Sequence, residues 1–222
     1  MSSTDVVGFF NNLKLCYDFR TDKQVSEEDM IKILEVGRLS PSSFGLEPWK
    51  FLVIENKFII NQIYKLARGI KGKEALGDYL VIILSRNSKE LEYNSDYVRY
   101  IMEEIQAIPE DEIFTMLDKY KIFLEEDHDI GSSPEKLAGW VGKQTYIPLA
   151  NMVVAAYKLG ISACAIEGFH RAELEDYLTH EKIYDRDKYN VSCILSFGYS
   201  RESKENITRR RRPFEEVVTW VK

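Results

Sequence analysis

Three short segments carry groups that packing alone does not require. The first is Ser40-Pro41-Ser42-Ser43-Phe44-Gly45-Leu46-Glu47-Pro48-Trp49-Lys50. Two serines beside a proline in a tight turn offer hydroxyls and backbone N–H groups to an anion or to the polar edge of a planar ring. A helix stop followed by a core tryptophan is the plainer reading of the same residues. The second is Ile166-Glu167-Gly168-Phe169. Here a strand runs into a glycine, which lets backbone approach a ligand closely or simply turns the chain. The third is Arg209-Arg210-Arg211-Arg212. In an extended chain Arg209 and Arg211 share one side, and Arg210 and Arg212 the other. Two guanidiniums on one side match the oxygens of a phosphate, although a run of charge is also a common solvated face.

Composition narrows the choice. The chain has 222 residues, of which 45% are hydrophobic, as expected for a globular protein rather than a disordered one. Thirty basic residues against 36 acidic ones give a net charge of −6. That balance argues against nucleic-acid binding, which depends on many Lys and Arg contacts to phosphates. Four consecutive arginines are the more conspicuous for it. Apolar runs such as Leu80-Val81-Ile82-Ile83-Leu84 fall far short of the ~20 residues of a membrane span, and Met1–Asp5 lacks a secretory start. Cys16, Cys164 and Cys193 form neither a CxxC pair nor a disulfide framework, which fits the cytoplasm. His128, His170 and His180 are scattered, and Asp127-His128-Asp129 reads as a solvated loop, so no metal is expected. Dinucleotide, Walker and nucleophile-elbow glycine motifs are missing.

The elements that must position these segments follow from pattern. Ser26 caps a helix whose first turn is acidic and whose Met30, Ile33, Leu34 and Gly37 make one buried face, with Pro41 stopping it. Phe51–Ile54 reads as a buried strand, 59–66 as a helix and Tyr79–Leu84 as a second strand. Residues 88–128 read as mostly helical, with Pro109 near a helix start. Their aromatics Tyr93, Tyr97, Tyr100, Phe114, Tyr120 and Phe123 either pack the helices or cover a flat substrate. Ser133-Pro134-Glu135 opens a long helix closed by Gly160, and Pro148 bends it at Gln144. Strands over 161–166 and 191–197 flank a short helix near 171–178, and 216–221 reads as a terminal strand. Without regular βαβ alternation, the class is α+β, and no composition break divides the 222 residues, which read as one domain.

Taken in order, these segments resemble the nitroreductase family of FMN-dependent oxidoreductases. The resemblance rests on Leu39-Ser40-Pro41-Ser42-Ser43, Glu47-Pro48-Trp49-Lys50-Phe51, Lys143-Gln144-Thr145-Tyr146, Asn151, Ala165-Ile166-Glu167-Gly168-Phe169 and Phe197-Gly198-Tyr199, followed by a basic segment before Pro213. It spans roughly residues 13 to 213. It implies a three-layer α+β fold with a mostly antiparallel central sheet flanked by helices. It also implies a homodimer that holds FMN at the subunit interface and uses NAD(P)H to reduce nitroaromatics, quinones or flavins in a ping-pong cycle. By position, Pro41, Ser42 and Ser43 would line the ring and ribityl chain. Gln144 would come from the partner or the facing helix. Ala165, Ile166, Glu167 and Gly168 would lie against the flavin, with a backbone N–H near N5. Lys71 or Lys73 would face the pyrimidine side, and Arg209 and Arg211 would hold the phosphate.

The resemblance names no catalytic side chain, because donor and acceptor use one open ring face. One departure is visible. Leu13, Leu15 and Tyr17 stand where the family carries Arg, Ser and a basic residue, which leaves Lys14 as the basic member of that stretch. A rival expectation follows, namely a flavin-poor relative with a binding or sensing role and little catalysis.

Overall fold

A computed structural model describes residues 6–13, 16, 18–67, 77–201 and 210–222. Its centre is one antiparallel sheet in the order β1-β2-β4-β3. The strands are β1 (Trp49–Ile54), β2 (Tyr79–Arg86), β3 (Ser162–Ile166) and β4 (Tyr189–Gly198). Strand β2 explains the layering. Leu80, Ile82 and Leu84 face one way and Val81 and Ile83 the other, all buried, as a strand covered on both faces requires. On the first face they meet Ile60 and Ile63 of α3 (Lys57–Leu66) and Leu174 and Leu178 of α8 (Arg171–His180). On the second they meet Met30 and Ile33 of α2 (Glu27–Arg38) and Met152, Val153 and Ala156 of α7 (Tyr146–Lys158). The three-layer α+β architecture follows.

Helix α2 starts as its sequence dictates. The Ser26 hydroxyl accepts from the Asp29 N–H at 3.2 Å, and Glu27, Glu28 and Asp29 occupy the positive end. A short helix α1 (Val6–Asn12) precedes it. Residues 88–127 form a helical cap with its own core. It contains α4 (Asp96–Tyr100), which runs into a π turn over Ile101–Ile105, and α5 (Glu110–Ile122), which runs into another over Phe123–Asp127. Pro109 is the residue just before α5. Tyr120 is fully buried there against Phe44, Phe123 and Trp140, so these aromatics pack, whereas Tyr100 and Phe114 are exposed. Asp127, His128 and Asp129 are exposed, and among the described residues no group of side chains could hold a metal ion. Nor is any described helix long and apolar enough to cross a membrane.

Two expectations are corrected. The helix expected from 133 to 160 is two helices, α6 (Pro134–Gln144) and α7, meeting at Thr145. Pro148 has no N–H for the Gln144 carbonyl, and the helix breaks where that bond is lost. The expected terminal strand over 216–221 is not formed. Phe214–Val217 makes one turn of helix, α9, with Glu215 and Glu216 at its positive end, and 218–222 follow without pairing to the sheet.

The three cysteines are buried thiols outside any disulfide. Burial pushes the Cys193 thiol up to about 12 and the Tyr97 phenol likewise to about 12, from ordinary values of 9.0 and 10.0. The native protein is therefore expected to react far more slowly than the unfolded chain with a thiol-specific disulfide reagent. Stability is expected to be fully present below the unfolded-state value near 9 and to fall as pH rises towards 12, because the unfolded chain releases these protons first. A urea midpoint that does not move across that window would contradict the burial.

Candidate functional site

The serine-rich turn is built from the end of α2. Ser40 turns inward, where its hydroxyl donates to the Val36 carbonyl at 3.1 Å and accepts from Asn151 Nδ2 of α7 at 2.9 Å. Pro41 then carries the chain outward. The Ser42 hydroxyl accepts from the Glu47 N–H at 2.8 Å, closing the turn from within, and the Ser43 N–H donates to Gln144 Oε1 at 3.0 Å. That contact brings two of the expected site segments together across 101 positions of sequence. It also fixes the Gln144 amide with its oxygen inward, which leaves the NH2 group and the Ser42 hydroxyl proton as donors for a ligand.

Gln144 owes its place to the junction of α6 and α7, where three consecutive residues reach three different elements. Thr145, fully buried, donates to the Gly142 carbonyl and pairs with the Ser192 hydroxyl, both at 2.6 Å. Ser192 is available because β4 bulges there. Ile83 pairs with Cys193 and Leu84 with Val191, so Ser192 has no partner on β2. The Tyr146 hydroxyl donates to the Glu167 carboxylate by a short hydrogen bond. Burial, then the adjoining Glu167, raises the Tyr146 phenol well above its ordinary range, so it stays a donor. The bond ties the junction to the end of β3.

At the end of β3, Ile166 is buried in the core, so it offers only backbone, and Ala165 is half-buried on the opposite face. Glu167 and Gly168 are exposed. The turn is tight, with the Phe169 N–H donating to the Glu167 carbonyl at 2.9 Å, and it is held by bridge pairing of Phe169 with Ala67 at the end of α3. Lys71 and Lys73 lie outside the described residues. At the other end of β3, Cys16 N–H donates to the Ala163 carbonyl at 2.9 Å, and Arg20 N–H to the Tyr199 carbonyl at 2.7 Å. Arg201 N–H donates to the Asp18 carbonyl at 3.2 Å. Lys14 and Arg209 also lie outside the described residues. Leu13 is 7% exposed and belongs to the core beside α2 and α7, so it presents no polar group to a ligand. Arg211 is exposed and donates to the Arg210 carbonyl at 2.8 Å.

The nitroreductase family model matches residues 15–199. The chain belongs to the nitroreductase family. A Bacillus subtilis relative, YfkO, provisionally named an NAD(P)H nitroreductase, is 34% identical over 218 residues, covering 98% of each chain. A Haemophilus influenzae relative with the same provisional name is 39% identical over 199 residues, covering 90% of this chain and 88% of its own. In fold, the chain is similar to a nitroreductase-like protein of Exiguobacterium sibiricum solved in complex with FMN. The TM-score is 0.71 and the identity 18%, covering 100% of this chain and 99% of that one.

The described donors that converge in this family member are the Gln144 NH2, the Ser42 hydroxyl and the exposed backbone at Glu167–Gly168. Sequence reasoning names those residues but misses what orients them. Thr145 sits at a helix junction and Ser192 at a bulge, and no spacing signals that they meet.

Proposed function

We propose that the protein is an FMN-dependent oxidoreductase that uses NAD(P)H to reduce nitroaromatics, quinones or flavins in a ping-pong cycle. The observation that carries this reading is the hydrogen-bonded convergence of the Ser40–Glu47 turn, the Gln144–Tyr146 junction and Glu167. When bound, FMN would supply the hydride chemistry, taking a hydride from the nicotinamide donor and returning it to the acceptor. Pro41, Ser42 and Ser43 line the ring and ribityl chain in this reading, and Gln144 donates to a ring-edge acceptor. Ala165, Ile166, Glu167 and Gly168 back the ring and place a backbone N–H near N5. Lys71 or Lys73 offsets charge on the pyrimidine side. Lys14, Arg209 and Arg211 hold the phosphate.

Two further parts of the reading concern assembly and setting. The chain acts as a single domain over 1–222 and as a homodimer, a reading supported by an end segment whose Phe214, Val217, Trp220 and Val221 are all exposed. Trp220 at 75% and Val221 at 94% exposure are costly for a lone chain and suit burial against a second copy. Three buried thiols outside any disulfide support a cytoplasmic setting.

Purified protein is expected to be yellow, with flavin bands that bleach on adding NAD(P)H. A colourless protein that added FMN cannot reconstitute would sink the proposal. The buried Leu13 favours one alternative, a flavin-poor relative with a binding or sensing role and little catalysis. Steady turnover of a quinone or nitroaromatic with added FMN would exclude it.

A further inference from the structure

Four consecutive carbonyls, those of Phe44, Gly45, Leu46 and Glu47, face two side chains of the helical cap, and that of Glu47 also accepts from the Trp49 N–H at 2.7 Å. Gln106 Nε2 donates to Phe44 O at 2.8 Å and Gly45 O at 3.1 Å. The Tyr97 hydroxyl reaches Leu46 O at 2.8 Å and Glu47 O at 2.9 Å. The backbone they hold is unusual. Phe44, Gly45 and Glu47 all have positive φ, at 54°, 61° and 45°. For residues with a Cβ this region is sparsely populated, and it persists where surrounding contacts over-determine it.

Both side chains are themselves fixed. The π turn lets the Gln106 N–H donate to the Ile101 carbonyl at 2.8 Å, which ends the helix with Gln106 against the loop. Glycine suits the positive φ of position 45, and a Cβ there would come 2.8 Å from Gln106 Nε2 and push that amide off the loop. The Tyr97 ring lies under the Arg86 guanidinium, 3.5 Å from its centroid, and Arg86 is bound to Glu90 at 2.6 Å. The loop thus turns its carbonyls to the cap, while its Ser43 N–H serves Gln144 and its Glu47 N–H serves the Ser42 hydroxyl.

We propose that Tyr97 and Gln106 are positioning residues for flavin binding, holding the Ser42–Glu47 loop in its left-handed form so that Ser42, Ser43 and Gln144 present their donors. The inference rests on the FMN reading above. Neither residue contacts the ligand, and each acts through the loop.

Tyr97→Phe and Gln106→Ala are each expected to weaken FMN binding about tenfold, read by flavin fluorescence quenching on protein whose circular dichroism matches the parent. Gln106→Glu keeps the shape but sets a carboxylate against two carbonyls, so it should do worse than alanine. The second glycine in Tyr97→Phe/Glu47→Gly holds positive φ unaided and should recover most of the lost affinity, which a merely structural role for Tyr97 would not predict. Hydrogen exchange supplies an arm that needs no flavin: both single variants should speed exchange over residues 42–47 and leave β2 and β4 unchanged. Unaltered FMN affinity in folded variants overturns the proposal, and so does unaltered exchange at the loop. A parent protein that never binds FMN defeats the functional reading instead, and loop exchange then still decides whether Tyr97 and Gln106 hold the turn.

Discussion

Arg209→Ala combined with Arg211→Ala is expected to weaken FMN binding by about a hundredfold or more, whereas Arg210→Ala with Arg212→Ala should change it by about threefold at most. Each charge-assisted hydrogen bond to a phosphate contributes ~1.5–3 kcal/mol, and each ~1.4 kcal/mol is a factor of ten in affinity. Removing two such bonds at once therefore spans roughly two to four decades. A large effect is expected because, in the proposed reading, the amino-terminal stretch supplies one basic residue at most. Leu13 is committed to the core, so Lys14 is the basic group that stretch can offer. The contrast between the two pairs tests alternation directly, since all four side chains carry the same charge. Titration of FMN fluorescence at fixed ionic strength is the measurement, because exposed cations are screened by salt. Equal losses from the two pairs would show that the run acts through its total charge and not through one face.

Gly77→Ala should cost about 3 kcal/mol of stability and lower the thermal midpoint by about 6–12 °C. Gly77 is buried just ahead of β2, where the Asp78 N–H donates to the Phe197 carbonyl at 2.7 Å and Lys57 Nζ donates to the carbonyl of Gly77 itself at 3.2 Å. A Cβ there would lie 2.6 Å from the Phe197 carbonyl oxygen and 3.1 Å from its nitrogen, and closer still to the Ser196 hydroxyl. Backbone atoms of a central strand have nowhere to go. Ser196 is no freer, since it is fully buried and accepts from the Tyr64 hydroxyl at 2.8 Å. Gly139→Ala in α6 is the matched control. A Cβ at that helical position meets nothing within 4 Å, so the substitution should raise stability by about 0.5–1 kcal/mol through helix propensity alone. Thermal denaturation monitored by circular dichroism reads both, and similar midpoints for the two variants would contradict the steric argument.

Sequence signals are legible where the physics is local. The Ser26 cap, the acidic first turn of α2, the buried run of β2 and the disturbance at Pro148 all depend on residues within one or two turns. The end of the chain misleads because Glu216–Val221 has strand-like composition but no described neighbour to pair with. Strand β4 misleads in a subtler way. Val191, Cys193, Leu195 and Phe197 alternate as if they shared a face, yet Val191 packs towards α3 and α8 while the other three pack towards α2 and α7. The bulge that causes this is set by the pairing with β2, and no window of β4 contains it. At the candidate site, motif order points to Ser43, Gln144, Tyr146 and Glu167, but the Ser43–Gln144 and Tyr146–Glu167 bonds span 101 and 21 positions and depend on tertiary packing. Tyr97 and Gln106 are hidden for the same reason. Their partners are backbone carbonyls, which carry no sequence signature.

Ser192 is the residue that the sheet does not count. If it were deleted, Val191 would still pair with Leu84 and Cys193 with Ile83, and every remaining side chain of β4 would keep its present face. The ladder would become regular, at the expense of the hydroxyl that Thr145 meets at 2.6 Å. Position 192 is therefore an insertion relative to a regular ladder, one that gives a neighbouring helix junction its hydroxyl partner, and a one-residue gap is the length variation that β4 can best absorb.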